Sequence, residues 1–139
     1  MLIDFTITRQ IIETYLRDNF TECPVQYENV PLSEDDPKEF IAVFDKVNTN
    51  STDTLQATSS PCTGVIIIQI FTKLGTGTQR AREIGSILNA LFGDKTISNI
   101  NIQNGALFGI PTDPKAVYYQ HNINFEYNFI YGENVVCEA

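Results

Sequence analysis

An apolar segment, a glycine turn and an amphipathic segment follow one another at the centre of this chain and limit its possible folds most strongly. Residues 64–71 read Gly-Val-Ile-Ile-Ile-Gln-Ile-Phe, residues 75–78 read Gly-Thr-Gly-Thr, and the amphipathic stretch ends at Gly93. Apolar residues on both faces, apart from Gln69, predict a strand over about 64–72 that is covered on both sides or packed at a subunit contact. Strand, glycine loop and helix in this order also begin many nucleotide-binding units, so the turn raises the first question about function.

The glycine turn does not match a phosphate-binding loop. A Walker loop needs a lysine after its last glycine to neutralise the phosphates, and residues 75–80, Gly-Thr-Gly-Thr-Gln-Arg, have none there. The dinucleotide-binding version needs a third glycine where Arg80 stands. Thr76 and Gln79 instead form the Thr-x-x-Gln pattern of a capping box, and helical spacing predicts a helix over about 77–92 that stops at the next glycine.

Composition indicates one acidic globular domain. With 139 residues, 15.6 kDa and 42% hydrophobic residues, the chain can fill one core, and we expect a single domain over 1–139. Nine basic against seventeen acidic residues give a net charge of −8, which argues against nucleic-acid binding through a basic face. No segment has the roughly 20 apolar residues of a membrane span and the start lacks a basic signal region, so we expect a soluble cytosolic product without membrane contact.

The N-terminal half is predicted to hold one helix, one strand and one long loop. Apolar spacing indicates an amphipathic helix over 7–20, followed by an extended piece at 25–30, a turn at 31–37 and a strand at about 40–47. Residues 48–62 are polar and predict a loop or projecting hairpin outside the core. We take this loop as the candidate partner-facing segment, through Asn48, Ser51, Thr54, Thr58 and Ser60.

The C-terminal part carries two antiparallel signals. Asn104-Gly105, after the alternation around Ile100 and Ile102, predicts a two-residue hairpin turn. Residues 117–131 alternate strictly between large apolar or aromatic and polar side chains, which predicts a long antiparallel strand with one covered and one wet face. The order of elements therefore predicts an α+β fold in which two helices cover one face of a mostly antiparallel sheet.

Residue types that often carry catalysis or metal binding lack the partners such chemistry needs. His121 is the single histidine and lies mid-strand among aromatics, without a recognisable nucleophile motif nearby, so we expect a partly buried histidine whose hydrogen bonds are satisfied. The acidic run at 34–36, Glu-Asp-Asp, lacks the spaced carboxylates and central glycine of a calcium loop and predicts a solvated turn. Cys23, Cys62 and Cys137 are too widely spaced for a zinc knuckle or a disulfide scaffold, so we expect reduced thiols.

These patterns predict a chain without catalytic, cofactor or metal sites. Lys73, Arg80 and Arg82 form a small basic patch at the start of the second helix. We interpret it as ordinary surface charge, and its more specific alternative is a contact for an acidic neighbouring subunit.

The order and spacing of these elements resemble the tail-terminator-like family of tailed bacteriophages, which is related in fold to the tail terminator of lambda-type siphophages. The resemblance covers roughly residues 5–131: an N-terminal amphipathic helix, an extended segment at 27–31, a strand, a variable polar loop, the strand at 64–71, the glycine-threonine turn into a second helix, and strands that end in an aromatic-rich one. The 48–62 loop and the Asn104-Gly105 turn are not matched to the family.

The resemblance implies a structural virion protein rather than an enzyme. It implies a homohexameric ring at the tail and neck, assembled in the host cytoplasm, that caps the tail tube, stops its polymerisation and contacts the head-proximal connector or stopper protein. The acidic balance suits a channel through which DNA passes without specific binding. Two alternatives stay open from the residues: a small nucleotide-binding or enzymatic domain that uses the 75–78 turn, and a monomeric cytosolic adaptor that pairs through a sheet edge.

Overall fold

Two helices and seven strands make up the part of the chain that the computed structural model describes, which is residues 6–28, 30, 37–49, 60–73, 78–98, 100–111 and 117–131. In chain order these elements are α1 Thr6–Asn19, β1 Val25–Gln26, β2 Glu39–Thr49, β3 Ser60–Lys73, α2 Gln79–Phe92, β4 Lys95–Ile97, β5 Ile100–Ile102, β6 Ala106–Gly109 and β7 Tyr118–Tyr131. The helices and long strands predicted near 7–20, 40–47, 64–72, 77–92 and 117–131 are all present.

The seven strands form one sheet with the order β1-β2-β3-β7-β5-β4, and β6 pairs with β7 beyond β5. All pairs are antiparallel except β1 with β2, which is parallel over two residues. The predicted α+β fold with a mostly antiparallel sheet is therefore confirmed.

Both helices lie on one face of this sheet, which we call the helix face. On β3, Ile66, Ile68 and Ile70 point to this face and are fully buried. They form one core cluster with residues of α1, α2 and β7. Aromatic rings connect the layers, because the Phe92 ring of α2 lies 5.3 Å from that of Tyr15 in α1 and 5.5 Å from that of Phe125 in β7. Each fully buried side chain of this kind contributes about 1.5–3 kcal/mol, so this face provides most of the folding energy.

The start of α2 differs from the predicted capping box. The N-cap residue is Thr78, which makes no side-chain cap hydrogen bond, and the Gln79 amide donates to Glu83 one turn onward instead of reaching back. The prediction that Thr76 and Gln79 form a capping box is therefore wrong for Gln79, and Thr76 lies outside the described residues. The predicted end is confirmed, because Gly93 is the C-cap and its N–H donates to the Asn89 carbonyl at 2.7 Å.

Asn104-Gly105 is not a hairpin turn. The register shifts by one residue between β5, where Ile102 faces Tyr127, and β6, where Ala106 faces Asn124, so residues 103–105 form a bulge along β7. A Cβ on Gly105 would lie 2.7 Å from the Phe125 ring, so the close approach of the two strands requires glycine here.

The two-residue hairpin lies earlier in the chain, between β4 and β5. These strands pair Ile97 with Ile100, and Ser98 has φ 55°, the left-handed conformation that such a tight turn needs. Strand β4 itself was not predicted from the sequence. The prediction of a hairpin turn at Asn104-Gly105 is therefore wrong.

The polar segment 48–62 connects two neighbouring antiparallel strands. Asn48 and Thr49 end β2, residues 60–62 begin β3, and Thr49 faces Cys62, so both ends of the predicted loop belong to strands. Residues 50–59 lie outside the described part of the chain, as does the predicted acidic turn at 31–36.

Candidate interaction surfaces

The face of the sheet opposite the helices carries both apolar and amide side chains, and we call it the open face. Strict register places alternate residues of β2, β3 and β7 in rows across it. Its rows are Phe40–Phe71–Gln120, Ala42–Gln69–Asn122, Phe44–Ile67–Asn124 and Lys46–Val65–Glu126. No helix in the described residues covers these rows, and the side chains of Phe44, Val65 and Ile67 are only half-buried. The central strand was predicted to be covered on both sides or packed at a subunit contact; among the described residues, helices cover only one of its faces.

One end of the open face carries an aromatic cluster. The Phe40 and Phe71 rings stack at 4.6 Å between centroids, and the Tyr118 ring meets Phe40 edge-on at 5.2 Å. The Tyr118 hydroxyl donates to the Pro37 carbonyl at 2.6 Å, and the Lys73 ammonium lies 5.1 Å from the centre of the Tyr118 ring. Such pairs are worth about 0.5–1.5 kcal/mol beyond burial, so the cluster is a preformed apolar platform.

Amide side chains occupy the β7 side of the open face. Gln120 donates to Asn122 at 2.9 Å, and the Asn124 side-chain carbonyl oxygen is buried without a hydrogen-bond partner among the described residues. This oxygen has almost no accessible surface, so its unpaired state is a cost borne within the subunit. Apolar side chains bordered by polar ones also occur in protein interfaces, whose centres are apolar and whose rims are polar.

A buried polar group stabilises the junction of α1 with the helix face. The Asp45 carboxylate accepts from the Tyr127 hydroxyl at 2.6 Å and from the Thr8 hydroxyl at 2.7 Å. Burial raises the pKa of Asp45, and these two hydrogen bonds oppose the rise. The pKa of Tyr127 is raised by its own burial and then by Asp45. These hydrogen bonds join α1, β2 and β7 at one point.

The basic patch predicted at Lys73, Arg80 and Arg82 is not a unit of unpaired positive charge. The Arg80 guanidinium donates to both carboxylate oxygens of Glu39 at 2.8–3.0 Å. It also pairs with Glu83 at 3.3 Å and Glu22 at 3.5 Å. The bond to Glu39 is the largest cause of the raised pKa of Arg80. This cation therefore neutralises acids of its own chain, and ordinary surface charge is the better interpretation of the patch.

His121 is buried, as expected, at 4% exposure on the helix face. Burial lowers its pKa, with a smaller contribution from Arg82, so the ring is neutral at pH 7. Its ring lies 4.9 Å from that of Tyr119. Its buried Nδ1 atom has no hydrogen-bond partner among the described residues, so the expectation of satisfied hydrogen bonds is wrong for this atom. Cys23 is a free thiol whose pKa burial raises to about 12, which makes it a poor nucleophile.

The candidate partner-facing residues are only partly placed. Asn48 lies in β2 opposite Thr63, and Ser60 lies in β3 opposite Tyr131, so both belong to the sheet. Ser51, Thr54 and Thr58 lie outside the described residues. Neither described helix is long and apolar enough to cross a membrane. Within the described ranges, acidic, cysteine and histidine side chains form no group of three that could hold a metal ion.

Sequence reasoning did not single out the open face as a site. Residues 40–44 are apolar at every position, and such a run does not indicate which face of the strand the helices cover. The pairing of Asp45 with Tyr127 joins residues 82 positions apart and left no local pattern.

Fold and surfaces together define a small α+β protein whose exposed features suit contacts with other proteins. The family model described as phage tail terminator protein matches residues 7–115 of this chain. The chain therefore belongs to the phage tail terminator family, as the resemblance implied, and is a structural protein of the phage tail that associates with other tail components.

Comparison of structures supports the same fold. Sixteen chains of known structure match, and one of them superimposes with a TM-score of 0.61 at 15% sequence identity, covering 87% of this chain and 94% of its own. Because the identity is low, this likeness concerns the fold. A search of curated protein sequences finds no match.

Proposed function

We propose that this chain is a single-domain ring subunit that ends the growth of the phage tail tube. Several copies, in the simplest case six, form a homo-oligomeric ring at the neck end of the tail after assembly in the host cytoplasm. One side of the ring caps the tail tube protein, and the other receives the head-proximal connector or stopper protein. DNA passes through the ring without specific binding, in keeping with the net charge of −8.

The observation that carries this proposal is an open sheet face in a member of the tail terminator family. The face combines an aromatic cluster, half-buried aliphatic side chains and the amide side chains of β7, while the helix face is filled by the chain's own residues. A subunit that must contact copies of itself and two further proteins needs such a surface, because protein contacts are built from apolar centres with polar surrounds.

Growth of tail tubes with and without the protein tests the proposal directly. Purified tube protein and the assembly factors that start a tube are incubated with and without this chain, and tube lengths are measured by electron microscopy. We expect a narrow length distribution with density at one end when the chain is present, and overlong tubes when it is absent. Identical length distributions in both reactions would refute the capping role.

A substitution on the open face tests where the contacts lie. Ile67→Asn changes a half-buried side chain at the centre of this face, whereas Ser86→Asn changes an exposed position on α2 and serves as the control. We expect Ile67→Asn to weaken association with the chain's own copies or with tube protein, measured by size-exclusion chromatography with light scattering. Normal association by a folded Ile67→Asn protein would exclude the open face as a contact.

A further inference from the structure

Three of four exposed apolar side chains in the described residues lie near the two edges of the sheet, and the fourth, Val117, precedes β7. Among the described residues, four large apolar side chains are exposed: Val30 at 48%, Leu107 at 36%, Phe108 at 41% and Val117 at 58%. Leu107 and Phe108 belong to β6, all four residues of which are exposed, and Val30 follows β1 at the other edge. Exposed apolar edge strands promote pairing with another chain, so natural proteins usually protect them.

The backbone of β6 is open on its outer side. The Ile110 N–H donates to the Gln120 carbonyl of β7. Because successive N–H groups along a strand point alternately towards and away from its neighbour, the N–H groups of Leu107 and Gly109 point away from β7. Strand β4 covers β5 on that side, but no strand of the described residues covers β6. An apolar strand edge with outward donors is therefore available.

The opposite edge of the sheet is open along part of β2. Strand β1 ends at Gln26, opposite Ala42, so residues 44–49 of β2 extend beyond it. The Ile41 N–H donates to the Pro24 carbonyl on this side, and the alternation directs the N–H groups of Asp45 and Val47 to the same side. Within the described ranges, no strand pairs with this segment of β2 from outside.

We propose that β6 of one copy pairs with residues 44–49 of β2 in the next copy, so that the sheet continues from subunit to subunit. The inference rests on the proposed ring function and names the contact that closes the ring. Two different edges of one chain give a head-to-tail contact, which forms rings when its rotation closes. Within one copy, β6 runs antiparallel to β2, because β2 and β7 share one direction and β6 has the other. If neighbouring copies keep the same strand direction around the ring, β6 of one copy meets β2 of the next in the antiparallel orientation.

Charge favours a second copy as the occupant of the β6 edge. Each copy has a net charge of −8, so close contact between copies requires segments with little negative charge. Strand β6, Ala-Leu-Phe-Gly, has no charged residue. In the facing segment, the Asp45 side chain is turned to the helix face and held by Tyr127, which leaves Lys46 as the exposed charge.

A matched pair of substitutions at Gly109 tests the proposed strand pairing. Gly109→Pro removes the outward N–H while leaving the β6–β7 hydrogen bonds in place, whereas Gly109→Ala keeps it, since the new Cβ would lie 3.3 Å or more from its neighbours. Ring formation is measured by native mass spectrometry and light scattering, with and without tail tube protein, after circular dichroism confirms folding. We expect Gly109→Pro to weaken subunit association about ten-fold or more, through lost strand hydrogen bonds and a steric block, and Gly109→Ala to assemble normally.

Photo-crosslinking provides a second measurement that does not depend on the proline variant. Phe108 is replaced by p-benzoylphenylalanine, and crosslinked peptides are identified by mass spectrometry, with the same replacement at Ser86 as control. We expect crosslinks from position 108 to residues 44–49 of another copy.

Two outcomes separate this inference from the proposed function. The strand pairing is overturned if a folded Gly109→Pro protein forms rings as the wild type does, or if position 108 crosslinks to other segments. Either result leaves the ring function intact. Wild-type protein that never forms rings, even with tube protein, overturns both.

Discussion

The two faces of the same sheet are used in opposite ways. On the helix face, Ile66, Ile68 and Ile70 are sealed under two helices, and the polar Asp45 and Tyr127 satisfy each other. On the open face, the intervening residues of β3 are half-buried, and an amide oxygen is left without a partner among the described residues. Strand β3 thus serves the core with half of its residues, while no helix of the described residues covers the other half. The difference separates residues needed for stability from residues free to serve assembly.

The largest expected difference in stability between the two faces is at two neighbouring isoleucines of β3. Ile68→Ala should lower the free energy of unfolding by about 2–5 kcal/mol, because it leaves a cavity in a fully buried site. Ile67→Ala, one residue away on the open face, should lower it by only about 1 kcal/mol, since its side chain is half-exposed. Urea denaturation of both variants measures the difference. Equal losses would mean that the two faces contribute alike to folding.

A second test concerns Gly64, where the helix face is closely packed. The Tyr127 ring and hydroxyl cross over Gly64, and a Cβ there would overlap them and lie 2.7 Å from the Lys46 carbonyl oxygen. Gly64→Ala should therefore cost about 1–3 kcal/mol of unfolding free energy through overpacking.

Gly85→Ala is the matched control for that test. Its Cβ would meet only the end of the Leu107 side chain at 3.1 Å, and alanine favours the helix, so the net change should be small. Thermal denaturation compares the two variants. Similar melting temperatures for Gly64→Ala and the wild type would contradict the close packing over Gly64.

A third test removes one polar contact beneath α1. Tyr127→Phe deletes the hydroxyl that donates to Asp45 and leaves the carboxylate with the Thr8 bond alone. We expect a loss of about 1–2 kcal/mol in chemical denaturation, because a buried acceptor loses one of its donors. Tyr118→Phe, which removes a hydroxyl bound to a backbone carbonyl on the open face, is the control and should cost less. The reverse order would show that the polar group on the helix face contributes little.

The smallest expected effect is a dependence on pH. Since burial raises the pKa of Asp45 in the folded state, the folded protein binds this proton more tightly than the unfolded chain. The stabilisation from protonation is fully present below the unfolded pKa and is lost as pH rises through the raised folded pKa. Asp45→Asn removes this dependence, so its stability relative to wild type should improve from acidic pH to pH 7. Urea midpoints at several pH values check the slope, and a constant difference would refute it.

Local patterns predicted the elements better than their connections. The period of 3.6 placed both helices within about two residues of their observed bounds, and the alternation at 117–131 identified β7, because both signals come from one face of each element meeting the core. Open-face residues such as Phe40 and Ile67 could be recognised as outward-facing only once the helix positions were known.

Connections depend on contacts between distant residues, which local patterns do not contain. Asn104-Gly105 has the sequence of a hairpin turn. However, β7, which comes later in the chain, pairs with both β5 before it and β6 after it, so these residues form a bulge. The Gly105 N–H also donates to the Asn89 side chain of α2 at 3.0 Å, a contact that no local pattern indicates. Likewise, the acids around Arg80 come from three separate segments.

The bulge at residues 103–105 decides which way the side chains of β6 face. Ile102 lies opposite Tyr127 and Leu107 lies opposite Ile123, so both point to the helix face although five positions separate them. Because side chains alternate with a period of two, the same sequence paired without the bulge would place Leu107 opposite Asn122 on the open face and turn Phe108 towards α2. Deleting one residue of the bulge should instead straighten the strand and keep the observed pairs of β6 with β7. The extra residue therefore determines which aromatic ring the subunit exposes and which aliphatic side chain lies against Gly85.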